Sequence, residues 1–299
     1  MKILLLFPMA DGQTGPGIKH SFEQLGHTVK AVDAKLRPGD SIRAAMEFKP
    51  DLIFCSRTVA LTDQVIAIKK KMKVVACVWN VDTRTNISIW RHLFPLIKAC
   101  DYYFVIASRL IPEWRKINKN TFWLPEGFLP AYGKPKNITA ADRDKHTCDV
   151  CWIGSRHGPH AWRNEYLSTV ERIGVSFKQW GCAGQPVAYD EDHNKAVFLS
   201  KINLAASGWP ENEKCTSSRD YKILAARGFL LEYHRNRLNE VFPSDIMDCY
   251  KTPKELVEKI FYWLGHEKER NEIAEKGYKW VHENATFTQR IQMALEYMK

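Results

Sequence analysis

Val74-Val-Ala-Cys-Val-Trp79 is an unbroken apolar run, and similar runs recur between helix-length stretches along the whole chain. A strand buried on both faces reads this way, because neither of its alternating rows of side chains meets water. Strands separated by helices need crossover connections, and crossovers build a parallel sheet covered on both faces. The first half reads as strands at 2–8, 26–33, 50–55, 73–79, 102–106 and 121–125. Its helices end near Leu25 and run over 40–47, 61–71 and 87–98. The second half repeats the logic, with strands at 148–153, 175–180 and 201–205. Helices follow at 160–172, 191–199, 253–263, 267–282 and 287–298. Residues 134–146 are polar and charged without periodicity, which predicts an exposed linker. At 299 residues and 45% hydrophobic, the chain supplies two cores of ordinary domain size. The expected division is 1–135, a linker at 136–146, 147–284, and a last helix over 285–299.

Several classes are disfavoured. The apolar run after Met1 ends at Pro8 without a small-residue cleavage site, so it reads as a first strand rather than a leader. No stretch reaches the roughly 18 apolar residues of a membrane span. Eight cysteines are scattered, mostly in apolar strand contexts such as Cys55, Cys77 and Cys151, which predicts reduced thiols and a cytoplasmic location. Cys148-x-x-Cys151 is not expected to bind metal, since a strand sends residues three apart to opposite faces. His157 and His160 flank Gly158-Pro159 without carboxylate partners and read as loop histidines. No metal site is expected.

Residues 216–233 carry the most functional information. Ser217-x-x-Asp220 fits a capping box, so a helix should begin near Ser218. Gly228 sits where a helix C-terminus favours positive φ, and Phe229 to Leu231 open an apolar strand. A helix N-terminus offers unpaired N–H groups and partial positive charge, and Ser217, Ser218 and Arg219 add donors there: a seat for phosphate, or an ordinary crossover with a solvated arginine.

Read in order, Arg219, Tyr221, Ala225, Gly228, Phe229 and Leu231 match a signature of nucleotide-sugar-dependent glycosyltransferases of the GT-B fold. The chain resembles in particular the spore-maturation-protein-like (CgeB-like) group. Asp149-Val-Cys-Trp-Ile-Gly-Ser155 followed by Arg163 looks like that group's opening strand and loop. Thr252-Pro-Lys-Glu255-Leu, Glu269-Arg270 and Ile273 to Gly277 look like its closing helices, and Ala285-Thr-Phe-Thr-Gln-Arg290 like its terminal element. The resemblance covers residues 149–299 well and the first half loosely. It implies two Rossmann-like α/β domains facing across a cleft, with the C-terminal helix crossing back to the first. Ligand would then lie at the strands' carboxyl ends.

The resemblance also places roles on residues. Ser217, Ser218 and Arg219, with Lys222 as a point charge and the Ser155-Arg156 loop as further donors, are the candidates to hold the donor diphosphate. Trp180 and Gly181 end a strand where the resemblance implies a base-binding loop, and Trp180 is either a stacking face for the nucleobase or a core residue. Many relatives hold the donor with two glutamates eight positions apart, but Lys214 and Lys222 stand at those positions here. A lysine cannot accept hydrogen bonds from sugar hydroxyls, though it pairs with phosphate as a point charge. Either the lysines strengthen diphosphate binding, with Glu211, Glu213 and Lys214 as the candidates for the sugar side, or the donor is held differently, or the site no longer turns over. Asp82, in Trp79-Asn-Val-Asp-Thr-Arg84, resembles a Trp-x-x-Asp of the first domain and is a catalytic or acceptor-side candidate. Asp11, in the glycine-rich loop after the first strand, is either a base, a hydroxyl acceptor or a turn former. Arg235 and Arg237 follow a strand end and either extend the basic lining or sit in a solvated turn.

The function implied is transfer of a sugar from a nucleoside diphosphate, UDP favoured, to a hydroxyl acceptor, metal-independent and with retention, needing no cofactor beyond the donor. A non-catalytic nucleotide-sugar or nucleic-acid binder and an epimerase on the same fold remain alternatives. The net charge of +10 is dispersed. A nucleoside diphosphate accounts for part of it. The rest points to an anionic acceptor or surface: nucleic acid, as in DNA modification, a cell-envelope polymer, or acidic lipid headgroups in peripheral membrane contact.

Overall fold

The computed structural model describes every residue except 11, 12, 130, 183 and 185, and describes 158 and 159 by backbone alone. Strands β1 Lys2–Phe7, β2 Thr28–Asp33, β3 Leu52–Ser56, β4 Val75–Asn80, β5 Tyr102–Val105 and β6 Thr121–Trp123 form one parallel sheet in the order β2-β1-β3-β4-β5-β6. Strands β7 Cys148–Ile153, β8 Phe177–Trp180, β9 Ser200–Ala205, β10 Leu230–Tyr233 and β11 Asp248–Tyr250 form a second, in the order β11-β10-β9-β7-β8. The helices are α1 Gly15–Gln24, α2 Asp40–Phe48, α3 Thr62–Lys71, α4 Phe94–Ala99, α5 Ile111–Trp114 and α6 Ala140–His146. They continue with α7 Asn164–Arg172, α8 Asp190–Phe198, α9 Ser218–Ala225, α10 Pro253–Gly265, α11 Glu267–Asn284 and α12 Phe287–Tyr297. This is the alternating α/β order that the apolar runs predict.

Two compact units result. The first comprises Met1–Glu126, Glu211–Thr216 and Phe287–Lys299; the second Gly127–Pro210 and Ser217–Thr286. In the first, Phe54 packs among Phe7, Phe22 and Trp79 at ring separations of 5.8, 5.3 and 6.3 Å. Helix α12 completes this unit: Phe287 meets Trp79 edge-on at 5.9 Å, Tyr297 stacks on Phe122 at 4.6 Å, and Arg290 Nε donates to Glu126 O at 2.8 Å. The terminal Thr-Phe-Thr-Gln-Arg element is thus the start of the helix that closes the first core. In the second unit Trp152, Leu204, Leu231 and Phe229 lie buried, with Phe229 against Trp263 at 4.7 Å.

Three local expectations are corrected. The stretch expected to be a featureless linker contains α6, whose N-cap Thr139 and Asp142 form a capping box. Ion pairs Lys195–Asp142 at 3.0 Å and Lys145–Asp192 at 2.7 Å fasten it, and His146 is fully buried. Seven residues are too few to show a helical period, although the cap signal itself was present. The helix expected at 87–98 opens as a tight 3-10 segment, Ile87–Leu93, before α4, which begins at Phe94-Pro95. A proline in the first turn is tolerated because its missing N–H has no partner to lose there. Finally, Arg227, not Gly228, takes the left-handed position after α9, at φ 64°. Gly228 is required for space: a Cβ there would meet Val197 and lie 2.6 Å from Asn203 Nδ2. All eight cysteines are free thiols, and among the described residues no group of three or more His, Cys, Asp or Glu converges to hold a metal ion. No helix among the described residues is long and apolar enough to cross a membrane.

Candidate active site

In the second sheet β8 lies on one side of β7 and β9 on the other. Chain connections leaving the carboxyl ends of β7 and β9 therefore diverge, and such a switch point opens a crevice for ligand. The loop after β7 brings Gly154 and Ser155 to this place, the loop after β9 brings Ser207, α9 brings its N-terminus, and β10 brings Glu232 and Arg235.

Two arginines meet there. The Arg219 guanidinium lies 4.7 Å from the Trp152 ring centre, and that of Arg163 lies 5.5 Å from the same ring and 5.9 Å from Trp162. Gly154 makes room for this. Its φ is +147°, and a Cβ on it would collide with the Arg219 guanidinium. Its own N–H donates to Trp180 O at 2.8 Å and its carbonyl accepts from Trp152 Nε1 at 2.8 Å, so the turn is fixed on both sides. Arg163 Nη1 donates to Ser155 O at 3.0 Å. Among the described residues, buried Arg219 Nη1 and Arg163 Nε have no hydrogen-bond partner. Burial and then the Arg219 charge pull Arg163 down to about 9, so it is still a cation at neutral pH. Burial also lowers Arg219, opposed by Asp220 and Glu232. Two like charges held out of water with unused N–H groups favour an anion between them.

A buried network sets the loops. The capping box expected at Ser217 and Asp220 is present, with Ser217 N–H donating to Asp220 Oδ2 at 3.0 Å. Ser207 Oγ lies 2.5 Å from Asp220 Oδ1 and 2.7 Å from Ser217 Oγ. Ser207 N–H donates to Glu232 Oε1 at 3.0 Å; the same oxygen accepts from Arg235 Nη1 at 3.1 Å, and Arg235 also donates to Ser207 O. The sequence offered no signal for Glu232, an acid inside an apolar strand. Desolvation, then the Asp220 charge, push Glu232 up to about 8, with Arg235 opposing.

A pH effect on stability follows from this carboxyl. The folded chain keeps the Glu232 proton to about pH 8, whereas the unfolded chain releases it near the ordinary value of 4.5. Between those values the unfolded state binds fewer protons, so the contribution is complete below pH 4.5 and is lost as pH rises toward 8. Thermal melts should fall between pH 6 and 8.5 for the wild type and less steeply for Glu232→Gln. Parallel curves would remove Glu232 as the cause.

The remaining candidates separate. Ser217, Ser218 and Arg219 gather at the start of α9, and Ser155 follows the Gly154 turn against which Arg219 lies. Arg156 does not join them: its guanidinium donates to Asn164 Oδ1 at 2.8 Å, Glu171 Oε1 at 2.5 Å and Gln179 Oε1 at 3.0 Å. Arg163, not named for this role from the sequence, is the second buried guanidinium beside Trp152. Lys222 lies farther along α9, its Nζ 4.1 Å from the Tyr132 ring. Trp180 is buried against His146 at 5.1 Å, with the Lys145 ammonium 5.5 Å from its ring, and reads as core. Gly181, at φ +78°, turns beside Gly154. Arg235 is buried in the network, whereas Arg237 pairs with Glu240 at the surface.

Glu211, Glu213 and Lys214 fall in the first unit. There Glu213 O accepts from Ser108 N–H at 3.0 Å, Lys214 O accepts from Trp123 Nε1 at 3.1 Å, and Asn212 Nδ2 donates to Thr83 Oγ1 at 2.9 Å. Asp82, also in that unit, follows β4, pairs with Arg57 and takes its N–H to Asn80 Oδ1 at 3.1 Å. Arg57 in turn lies 4.9 Å from the Trp90 ring. Asp11 lies outside the described residues.

Residues 152–296 match the family model Glyco_trans_1_2, described as glycosyl transferase-like. No curated protein sequence matches the chain. Among solved structures, Anabaena Alr3699/HepE in complex with UDP is 12% identical with a TM-score of 0.67, the match covering 100% of this chain and 99% of that one. Sucrose-phosphate synthase from Thermosynechococcus elongatus is 10% identical, TM-score 0.69, covering 100% and 98%. The DNA modifying enzyme β-glucosyltransferase is 10% identical, TM-score 0.62, covering 98% and 97%. At these identities the likeness establishes the fold, that of the GT-B glycosyltransferases. The chain thus has the GT-B fold throughout, and its residues 152–296 are similar to the glycosyl transferase-like family.

Proposed function

We propose that the protein moves a sugar from a UDP-sugar to a hydroxyl acceptor without a metal ion, with the second unit holding the donor diphosphate. One observation carries the donor assignment: the buried Arg219 and Arg163 guanidinium groups, with unused N–H donors, beside the amino end of α9. Transfer breaks the bond between the anomeric carbon and the β-phosphate oxygen, and the electron pair leaves on the diphosphate. Preorganised cations act where that charge builds, so they lower the barrier rather than merely tighten binding. The guanidinium pair supplies the positive charge that a divalent cation supplies elsewhere. Asp82 is the candidate to take the acceptor's proton. Retention follows from the resemblance of the motifs, and solution of HepE with UDP-glucose supports UDP as the nucleotide.

Thermal-shift measurements against UDP-, GDP-, CMP- and dTDP-sugars test the donor, and release of free UDP without acceptor separates an enzyme from a sensor. The largest stabilisation should come from a UDP-sugar. Silence across all four would sink the assignment. Gly154→Ala is expected to weaken UDP at least tenfold, since its Cβ would occupy the Arg219 guanidinium's place and its φ suits glycine. Calorimetry on the variant checks this; unchanged affinity would show that Arg219 has no fixed position to keep.

A further inference from the structure

The first unit carries a separate cationic surface at the opposite end of its sheet, where strands begin rather than end. Lys69, Lys70, Lys71 and Lys73 line one open groove of about 800 Å³ together with Asp51 and Asp101. Lys69 is spent on Asp101, its Nζ 2.8 and 2.7 Å from the two carboxylate oxygens. Asp51 accepts from Lys2 N–H at 2.7 Å. Lys70, Lys71 and Lys73 are exposed. Cations in the last turn of a helix complement its dipole, which accounts for Lys70 and Lys71. It does not account for Lys73, which lies past the end of α3. Apolar side chains interleave with these lysines: Met72 lies half-buried between them, and Val75 at the head of β4 is 40% exposed in the same groove.

We propose that this face docks the protein on an acidic lipid surface. Lysine is a flexible point charge without the fork that fixes a single phosphate, so a row of them suits a plane of anionic headgroups better than one bound ion. The apolar groups between them can reach the headgroup boundary while the ammonium groups stay solvated. At the usual strength per lysine near an anionic membrane, three lysines give a preference of roughly 100-fold for acidic over neutral lipid.

Cosedimentation of the whole chain with vesicles tests this, using phosphatidylcholine alone and phosphatidylcholine with about 30% phosphatidylglycerol, a composition that sets the surface charge. The acidic vesicles should bind roughly 100-fold more tightly and release the protein at about 0.5 M salt, where screening is strong. The triple variant Lys70→Glu, Lys71→Glu, Lys73→Glu should lose the acidic preference and keep UDP affinity within twofold, which also reports that it is folded. The double variant Lys70→Gln, Lys71→Gln, a milder change, should lose part of it. Equal binding to both vesicles, no vesicle binding, wild-type binding by the triple variant, or capture of a DNA duplex without capture of vesicles each overturns the proposal. UDP binding is read separately, so failure here and failure of the donor assignment are told apart.

Discussion

Arg219→Ala is expected to weaken UDP binding by roughly 30- to 1,000-fold, the range for deleting one charge-assisted donor in a water-excluded site. The loss should be large because Arg219 is held in place with an N–H still unused: Trp152 lies beneath it, the bare Gly154 turn beside it, and Asp220 sustains its charge. Arg163 is then left as the neighbouring buried cation. Arg219→Lys should recover only part of the affinity, since an ammonium reproduces the charge and not the planar fork. Transfer rates should fall further than affinity if the guanidinium acts mainly on the departing diphosphate. Calorimetry with UDP, together with a thermal melt to confirm folding, decides the matter. A folded Arg219→Ala protein with wild-type UDP affinity would contradict the phosphate role.

The second large effect is on stability. Arg235→Met is expected to cost about 2–4 kcal/mol, because Glu232 Oε1 and Ser207 O both lose a buried charged donor. Arg235 and Glu232 are both fully inaccessible, and Arg235 also donates to Ser207 O. Without it Glu232 keeps Asp220 as a neighbour and loses the charge that opposes its rise in pKa. Adding Glu232→Gln to Arg235→Met should recover part of the loss at alkaline pH, where the carboxyl would otherwise ionise without its partner. Urea unfolding followed by tryptophan fluorescence measures both variants. A loss below about 1 kcal/mol for Arg235→Met would mean that the network tolerates water and is not the rigid frame described above.

Legibility in the sequence tracks how local each signal is. Apolar runs such as Val74 to Trp79 announce strands buried on both faces, and the parallel sheets follow from their spacing. Ser217-x-x-Asp220 announces the start of α9, and Arg219 beside it is legible as a cation at that helix end, because cap and cation are adjacent in the chain. Arg156 misleads for the opposite reason. Glu171 and Gln179, which occupy its guanidinium, lie 15 and 23 residues away. Arg163 comes to lie beside Trp152 at the end of a 3-10 segment, Gly158–Arg163, which local spacing does not show. Glu232 was unreadable, since its partners Ser207 and Asp220 meet it only once β9, β10 and α9 are assembled. Glu211 to Lys214 are flanked in sequence by second-unit residues and yet join the first unit through Ser108, Trp123 and Thr83. That assignment is set by long-range pairing, which local spacing does not encode.

Calorimetric titration of the wild-type protein with UDP, UMP and uridine at one salt concentration tests the central claim most directly. If Arg219 and Arg163 grip a pyrophosphate, UDP should bind at least 100-fold more tightly than uridine, with UMP between them, as expected when charge-assisted contacts to phosphate carry the affinity. Equal affinity for all three, or no binding of UDP, would show that the paired guanidinium groups do not form a diphosphate seat.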